Sequence, residues 1–237
     1  MSTHVTTQNL ARADVADDAP APTERRTGSR GWALAGIGAG ICGIGTIVFS
    51  GMVDAIYDPA LVGDPAGITA KLATQTGAMY AFHTFTTVGA VLLVVFAAGL
   101  HRRLRAALPD SAIPTVALGG LLGTAVVSIM GSGLDTEFMM GVTEPDLVQD
   151  ANAAMFNHWI GTIPWLWTLA GLAGLALWAT FRRGGVPRWI GIVGLVLGGL
   201  TVLLGVSPAQ YMAGMTGPLW LLVTAIGFTV GDRAHRA

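Results

Sequence analysis

The sequence predicts an all-α integral membrane bundle of six transmembrane helices with both termini in the cytoplasm. Three observations carry that reading. Six apolar runs, roughly 31–53, 78–100, 113–134, 158–181, 187–206 and 211–230, are each close to the ~20 residues that cross a ~30 Å hydrocarbon layer. Only 11% of the residues are charged and the mean hydropathy is +0.61, whereas about a quarter of a soluble domain is charged. Finally, twelve of the thirteen basic residues flank one side of the pattern.

Arg12, Arg25, Arg26 and Arg30 precede the first run. Arg102, Arg103 and Arg105 follow the second, Arg182, Arg183 and Arg188 the fourth, and Arg233 and Arg236 the sixth; Lys71 is the exception. Arginines in short flanking segments remain in the cytoplasm, so the connections that follow odd-numbered spans face outward. Eight of the fourteen acids lie on that outer side. The expected location is the plasma membrane.

Residues 1–30 lack apolar periodicity, are rich in Ala, Thr, Asp and Pro, and read as a disordered cytoplasmic tail. The first apolar run starts too late and is too long for a signal peptide. Residues 31–231 form one membrane domain whose short connections leave no room for a soluble catalytic domain, and 232–237 form a short C-terminal tail. Cys42 is the single cysteine, so internal disulfides and Cys-based metal sites are excluded. A net charge of −1 gives no nucleic-acid signal.

Gly36 and Gly40 in span one, Gly119 and Gly123 in span three, and Gly194 and Gly198 in span five stand four apart. Small residues at that spacing let membrane helices approach closely. Trp32, Trp159, Trp165, Trp189, Tyr80 and Tyr211 lie near span ends, as an interfacial aromatic belt does. Pro164 and Pro218 fall inside spans four and six and predict kinks, whereas Pro187 opens span five, where a missing N–H costs little. Outer segment 58–77 reads as a turn-rich cap. In segment 135–159, Glu144, Pro145 and Asp146 read as the start of a short interfacial helix, with Phe138, Met139 and Met140 at the membrane surface. Both segments are placed to lid a cavity opening outward.

Spans one and three share a pattern. Cys42, Thr46, Ser50 and Asp54 recur every four residues; Thr124, Ser128 and Ser132 do the same, with Asp135 three later. Such spacings share a helix face. The following helices carry His83 with Thr87, and His158 with Thr162, four apart. This predicts hairpin repeats at 31–100, 113–181 and 187–230, the third replacing Asp and His with Gln210, Tyr211 and Thr216.

By predicted depth, Asp54, His83, Asp135, Glu137 and His158 gather in the outer half, near Asn157, Gln210 and Tyr211. Ionisable side chains inside spans usually face the bundle interior or a wet cavity, although carboxylates near the interface also serve as solvated helix ends. The set His83, His158, Asp54, Asp135 and Glu137 suits a divalent metal such as Zn, Fe or Mn, with His83, Asp135 and His158 as the catalytic residues. A b-type haem held by His83 and His158 is a second reading. The two histidines lie 19 and 24 residues before Arg102 and Arg182 respectively, which is about 7 Å of mismatch in depth. A small transporter or scaffold without catalytic chemistry is a third, and metal-free acid–base chemistry a fourth. The expected partners are the lipid bilayer and a small or lipid-soluble ligand; whether the chain is an enzyme is left open.

The stretch FRRGGVPRWIGIVGLVLGGLTVLLGV, residues 181–206, resembles the fifth-span pattern of small six-span polytopic membrane proteins of high-GC bacteria, mostly of unassigned function. The resemblance covers about two spans closely and implies architecture only, with no catalytic residue to transfer.

The arginine asymmetry yields a direct test in a Cys42→Ser background. A membrane-impermeant maleimide should label Val62→Cys on intact cells and label Asp110→Cys only after lysis; the reverse pattern would invert the topology.

Overall fold

The computed structural model describes residues 30–144 and 147–231, and every regular element among them is helical. The expectations for the N-terminal tail and for 232–237 lie outside the described residues. Six helical stretches are long and apolar enough to cross a membrane. The first is α1 (Gly31–Gly51), followed by the short helix α2 (Pro65–Ala73) and by α3 (Thr76–Ala107), which forms the second span. The third comprises α4 (Ile113–Gly131) and α5 (Asp135–Gly141); the fourth comprises α6 (Asp150–Ile160) and α7 (Thr168–Phe181). The fifth runs through α8 (Arg188–Val193), a π-helical stretch at Gly194–Gly198 and α9 (Gly199–Gly205); α10 (Ala213–Val230) is the sixth.

The spans close into a ring. Helix α1 packs between α3 and α10, α3 against α4, α4 against α7, α7 against α8 and α9, and α9 back against α10. The centre is filled by Trp32, Phe96, Leu121, Trp167, Trp220 and Phe228, all buried. Glycines set the spacing, as the sequence predicts for spans one and five. A Cβ on Gly40 would lie 2.8 Å from the Leu222 backbone, and one on Gly198 would lie 2.7 Å from the Gly174 Cα. Span three differs. Gly123 faces the Leu169 side chain of α7 as expected, but its partner in the row is Gly120, against the Leu169 carbonyl, while a Cβ on Gly119 would meet nothing within 4 Å. One residue turns a helix face by about 100°, so a spacing rule finds the row but can miss its phase.

The two internal prolines behave differently. Pro218 stays within α10. Pro164 ends a helix: α6 stops at Ile160, a 3-10 turn covers Ile163–Trp165, and α7 resumes at Thr168. Proline lacks the N–H that would reach the carbonyl four residues back, here that of Ile160. The Ser50 hydroxyl of α1 donates to that carbonyl at 2.7 Å, and the Trp165 indole N–H donates to Ser50 Oγ at 2.9 Å. A broken membrane helix persists where neighbours satisfy its freed backbone groups in this way.

Helix α3 has 32 residues, about 48 Å at 1.5 Å per residue, well beyond the hydrocarbon thickness. Its first turns enter a second hydrophobic core with Val53, Ile68, Leu72, Met79, Phe82, Phe138, Met139, Phe156 and Ile160. The Phe138 and Phe156 rings stack with centroids 4.4 Å apart. Asn157, wholly buried, accepts from the Ile56 N–H at 2.8 Å and donates to the Val53 carbonyl at 2.6 Å, tying α6 to the exit of α1. The outer segments are therefore a packed cap. Phe138 and Met139 sit in its core and only Met140 is exposed, because α5 turns its apolar face towards α3 and α6. The interfacial helix starts at Asp150; Pro145 and Asp146 lie outside the described residues.

At the other end, Arg30 donates to the Thr229 carbonyl at 3.0 Å and Arg103 to the Gly185 carbonyl at 2.9 Å. These arginines satisfy carbonyls at helix ends and turns.

Close helix approach sets the expected cost of side chains in the ring. Gly40→Val should lower stability by about 1–3 kcal/mol through overpacking, seen as a lower Tm in detergent. Gly119→Val should leave the Tm unchanged, and equal losses for both would contradict the assigned interfaces.

Candidate functional site

Asp135, the first residue of α5, is placed by the tight turn that ends α4, and its side chain is wholly buried. Its Oδ2 lies 2.9 Å from Nδ1 of His83, a residue in the second turn of α3. The Asp135 carboxyl group holds Nδ1 and so orients the ring, leaving Nε2 as the nitrogen available to a second partner. The His83 side chain is 35% exposed, and Asp135 Oδ1 has no hydrogen-bond partner. A buried carboxylate left without its counterpart is costly, so this pair is coupled structurally as well as chemically.

The remaining candidates lie elsewhere. Asp54, half exposed just beyond α1, accepts from Gln75 Nε2 at 2.7 Å and from Lys71 Nζ at 3.0 Å. The Gln75 bond first, and then Lys71, hold its carboxyl below the usual range. Lys71 also meets Asp58 at 3.1 Å, and these hydrogen bonds raise its pKa. The one outer lysine is thus held between two aspartates. Glu137 is exposed on α5. Asp54 and Asp135 therefore have different roles.

The hydroxyl stripes are satisfied within the fold. Thr46 and Thr86 hydroxyls meet at 3.1 Å between α1 and α3, and Thr124 and Ser128 donate to carbonyls four residues back. His101, at the inner end of α3, places Nδ1 3.0 Å from the Pro114 carbonyl and so bonds the start of α4.

His158 lines a cleft of about 550 Å³ with Ser50, Tyr57, Thr162, Trp165, Tyr211, Met212 and Met215. It lies between the end of α1, the α6–α7 break and the start of α10. The Tyr57 and His158 rings meet edge to face, with centroids 6.0 Å apart and planes at 86°. Gly161 leaves room for the Tyr57 hydroxyl, which would lie only 2.5 Å from a Cβ there. Desolvation, reinforced by the neighbouring Tyr211 phenol, raises the Tyr57 pKa, so its hydroxyl is neutral and able to donate. The volume is within the ~300–1,000 Å³ of small-molecule sites.

The five-residue set expected from depth therefore comes apart. Among the described residues no three His, Cys, Asp or Glu side chains gather in a metal-holding group, so the set expected for Zn, Fe or Mn is not assembled. His83 is not among the residues lining the His158 cleft, so the two imidazoles do not share that space. The cause is the break at Pro164, beyond which α6 packs against α2 and the 3-10 turn Ala55–Tyr57, carrying His158 towards α1 and α10. Ser50, Tyr57, Trp165 and Met215 were not foreseen as site residues. Pro164 was the available signal, because a broken helix exposes backbone and side chains to a cavity. Comparison with known proteins gives no match, neither a family model nor a curated protein nor a solved structure.

The His83–Asp135 pair predicts strong non-additivity. His83→Ala, which strands a buried carboxylate, should cost about 3 kcal/mol. Asp135→Ala should cost less, and the double variant should recover much of the loss from His83→Ala. Unfolding in detergent measures all three, and simple additivity would show the pair to be energetically uncoupled.

Proposed function

We propose that the chain is a multi-pass plasma-membrane protein, with both termini in the cytoplasm, that binds or carries a small, largely apolar molecule in the outward cleft beside His158. The observation that carries this is the cleft itself, an apolar space with a few polar groups converging on it, which is the usual form of a small-molecule site. Trp165, Met212 and Met215 offer apolar wall, while Tyr57, His158 and Tyr211 offer polar tips. Its place near the outer interface suits entry from the outer leaflet or from outside.

Binding suits the cleft better than catalysis. Ser50, the residue most like a nucleophile, already donates to the Ile160 carbonyl and accepts from Trp165. Its hydroxyl is thus engaged with backbone and indole, and no hydrogen bond joins it to His158 among the described residues.

The His83–Asp135 pair favours a second reading, acid–base chemistry on a lipid-soluble substrate. A buried carboxylate that orients an imidazole leaves Nε2 as a positioned proton acceptor.

One experiment separates the two. Small molecules that co-purify with the protein should be extracted and identified by mass spectrometry, from the unaltered chain and from Met215→Trp and His83→Ala. Filling the cleft with Met215→Trp should reduce the bound molecule about tenfold, equivalent to about 1.4 kcal/mol. Retention in Met215→Trp with loss in a folded His83→Ala would move the function to the pair.

A further inference from the structure

We propose that the cleft takes an organic cation, an ammonium head with an apolar body; this rests on the reading of the cleft as a binding site. Three independent features point to positive charge. The wall is unusually aromatic: Tyr57, Tyr211 and Trp165 line it with the imidazole of His158. Electron-rich ring faces attract ammonium groups, and the effect grows when the cation is desolvated. Met212 and Met215 add polarizable thioethers.

The second feature is the absence of competing cations. Among the described residues no lysine or arginine lines the cleft. The single lysine at this end of the bundle is held by Asp54 at 3.0 Å and Asp58 at 3.1 Å. An anionic ligand would find no fixed positive charge here, and Tyr57 is not a phenolate that would mimic a carboxylate.

The third is the field at this end of the molecule. Among the described residues Asp54, Asp58, Asp64, Glu137, Glu144 and Asp150 stand against one lysine in the segments around the cleft. A surface of one sign raises the local concentration of the opposite charge and speeds its arrival. The acids do not line the cleft, so the field attracts the cation while the rings hold it. The same ammonium chemistry is carried by a free solute and by a choline lipid headgroup.

The test compares benzyltrimethylammonium with its uncharged carbon isostere, neopentylbenzene, each titrated against the purified full chain in a nonionic maltoside detergent. The cation should bind about tenfold more tightly than the isostere. Tyr57→Leu and Tyr211→Leu should each narrow that ratio while changing the isostere's affinity little. Equal affinity for the two compounds in the unaltered protein overturns the cation assignment yet leaves the cleft a binding site. Binding of neither, with Met215→Trp indistinguishable from the unaltered chain, overturns both. Adding phosphatidylcholine distinguishes the sources: loss of benzyltrimethylammonium binding supports a headgroup occupant, and unchanged binding supports a free cation.

Discussion

The half of this protein that carries the cleft depends on a single missing hydrogen bond. Pro164 deprives the Ile160 carbonyl of its helical donor, and in a membrane that carbonyl cannot be left to hydrocarbon. Ser50 of α1 supplies the replacement, and Trp165 completes the chain by donating to the same hydroxyl. Three neighbouring segments are thereby fixed at one point: the end of α1, the end of α6 and the turn leading into α7. Gly161, Thr162 and Trp165 come from the break itself and line the cleft with Ser50. The feature that satisfies the backbone also shapes the cavity.

With α6 freed from the line of α7, its apolar face needs another partner. It finds one in α2 and the 3-10 turn Ala55–Tyr57, and Asn157 secures the arrangement with two backbone bonds. The resulting cap buries Phe138, Phe156 and Leu72 above the bundle. A hydrophobic cluster of that kind orders segments that would otherwise be loose connections. It also explains how Asp135 comes to be wholly enclosed. α5 is drawn into the cap, and the carboxylate at its start is buried with His83 as its one hydrogen-bond partner.

Much of this architecture is legible in the sequence because span length and flanking arginines follow from the bilayer. Six apolar runs become six helical spans, although α3 starts two residues before its apolar run and ends seven residues after it. Depth is legible too: His83 and Asp135 were grouped on that basis and do pair. Angle around the bundle is not. Residues at one depth share only one coordinate of three, which is why Asp54, Glu137 and His158 were placed with them and lie apart. The phase of a small-residue row is equally invisible, as Gly120 in place of Gly119 shows. A serine bonded to a carbonyl 110 residues away leaves no trace in local spacing.

The two ends of the bundle use aromatic and charged groups in opposite ways. At the arginine-rich end, guanidinium groups meet carbonyls, and Arg182 sits 5.7 Å from the centre of the Trp178 ring. Positive charge and aromatic surface there satisfy each other within the chain. At the acidic end, Tyr57, Trp165 and Tyr211 line open space, and the one lysine is neutralised by aspartates. Aromatic faces without an internal cation, under a field that gathers external ones, form an incomplete arrangement. At the arginine-rich end of this same protein a positive group lies against a ring, Arg182 on Trp178, the arrangement that the proposed ligand would complete in the cleft.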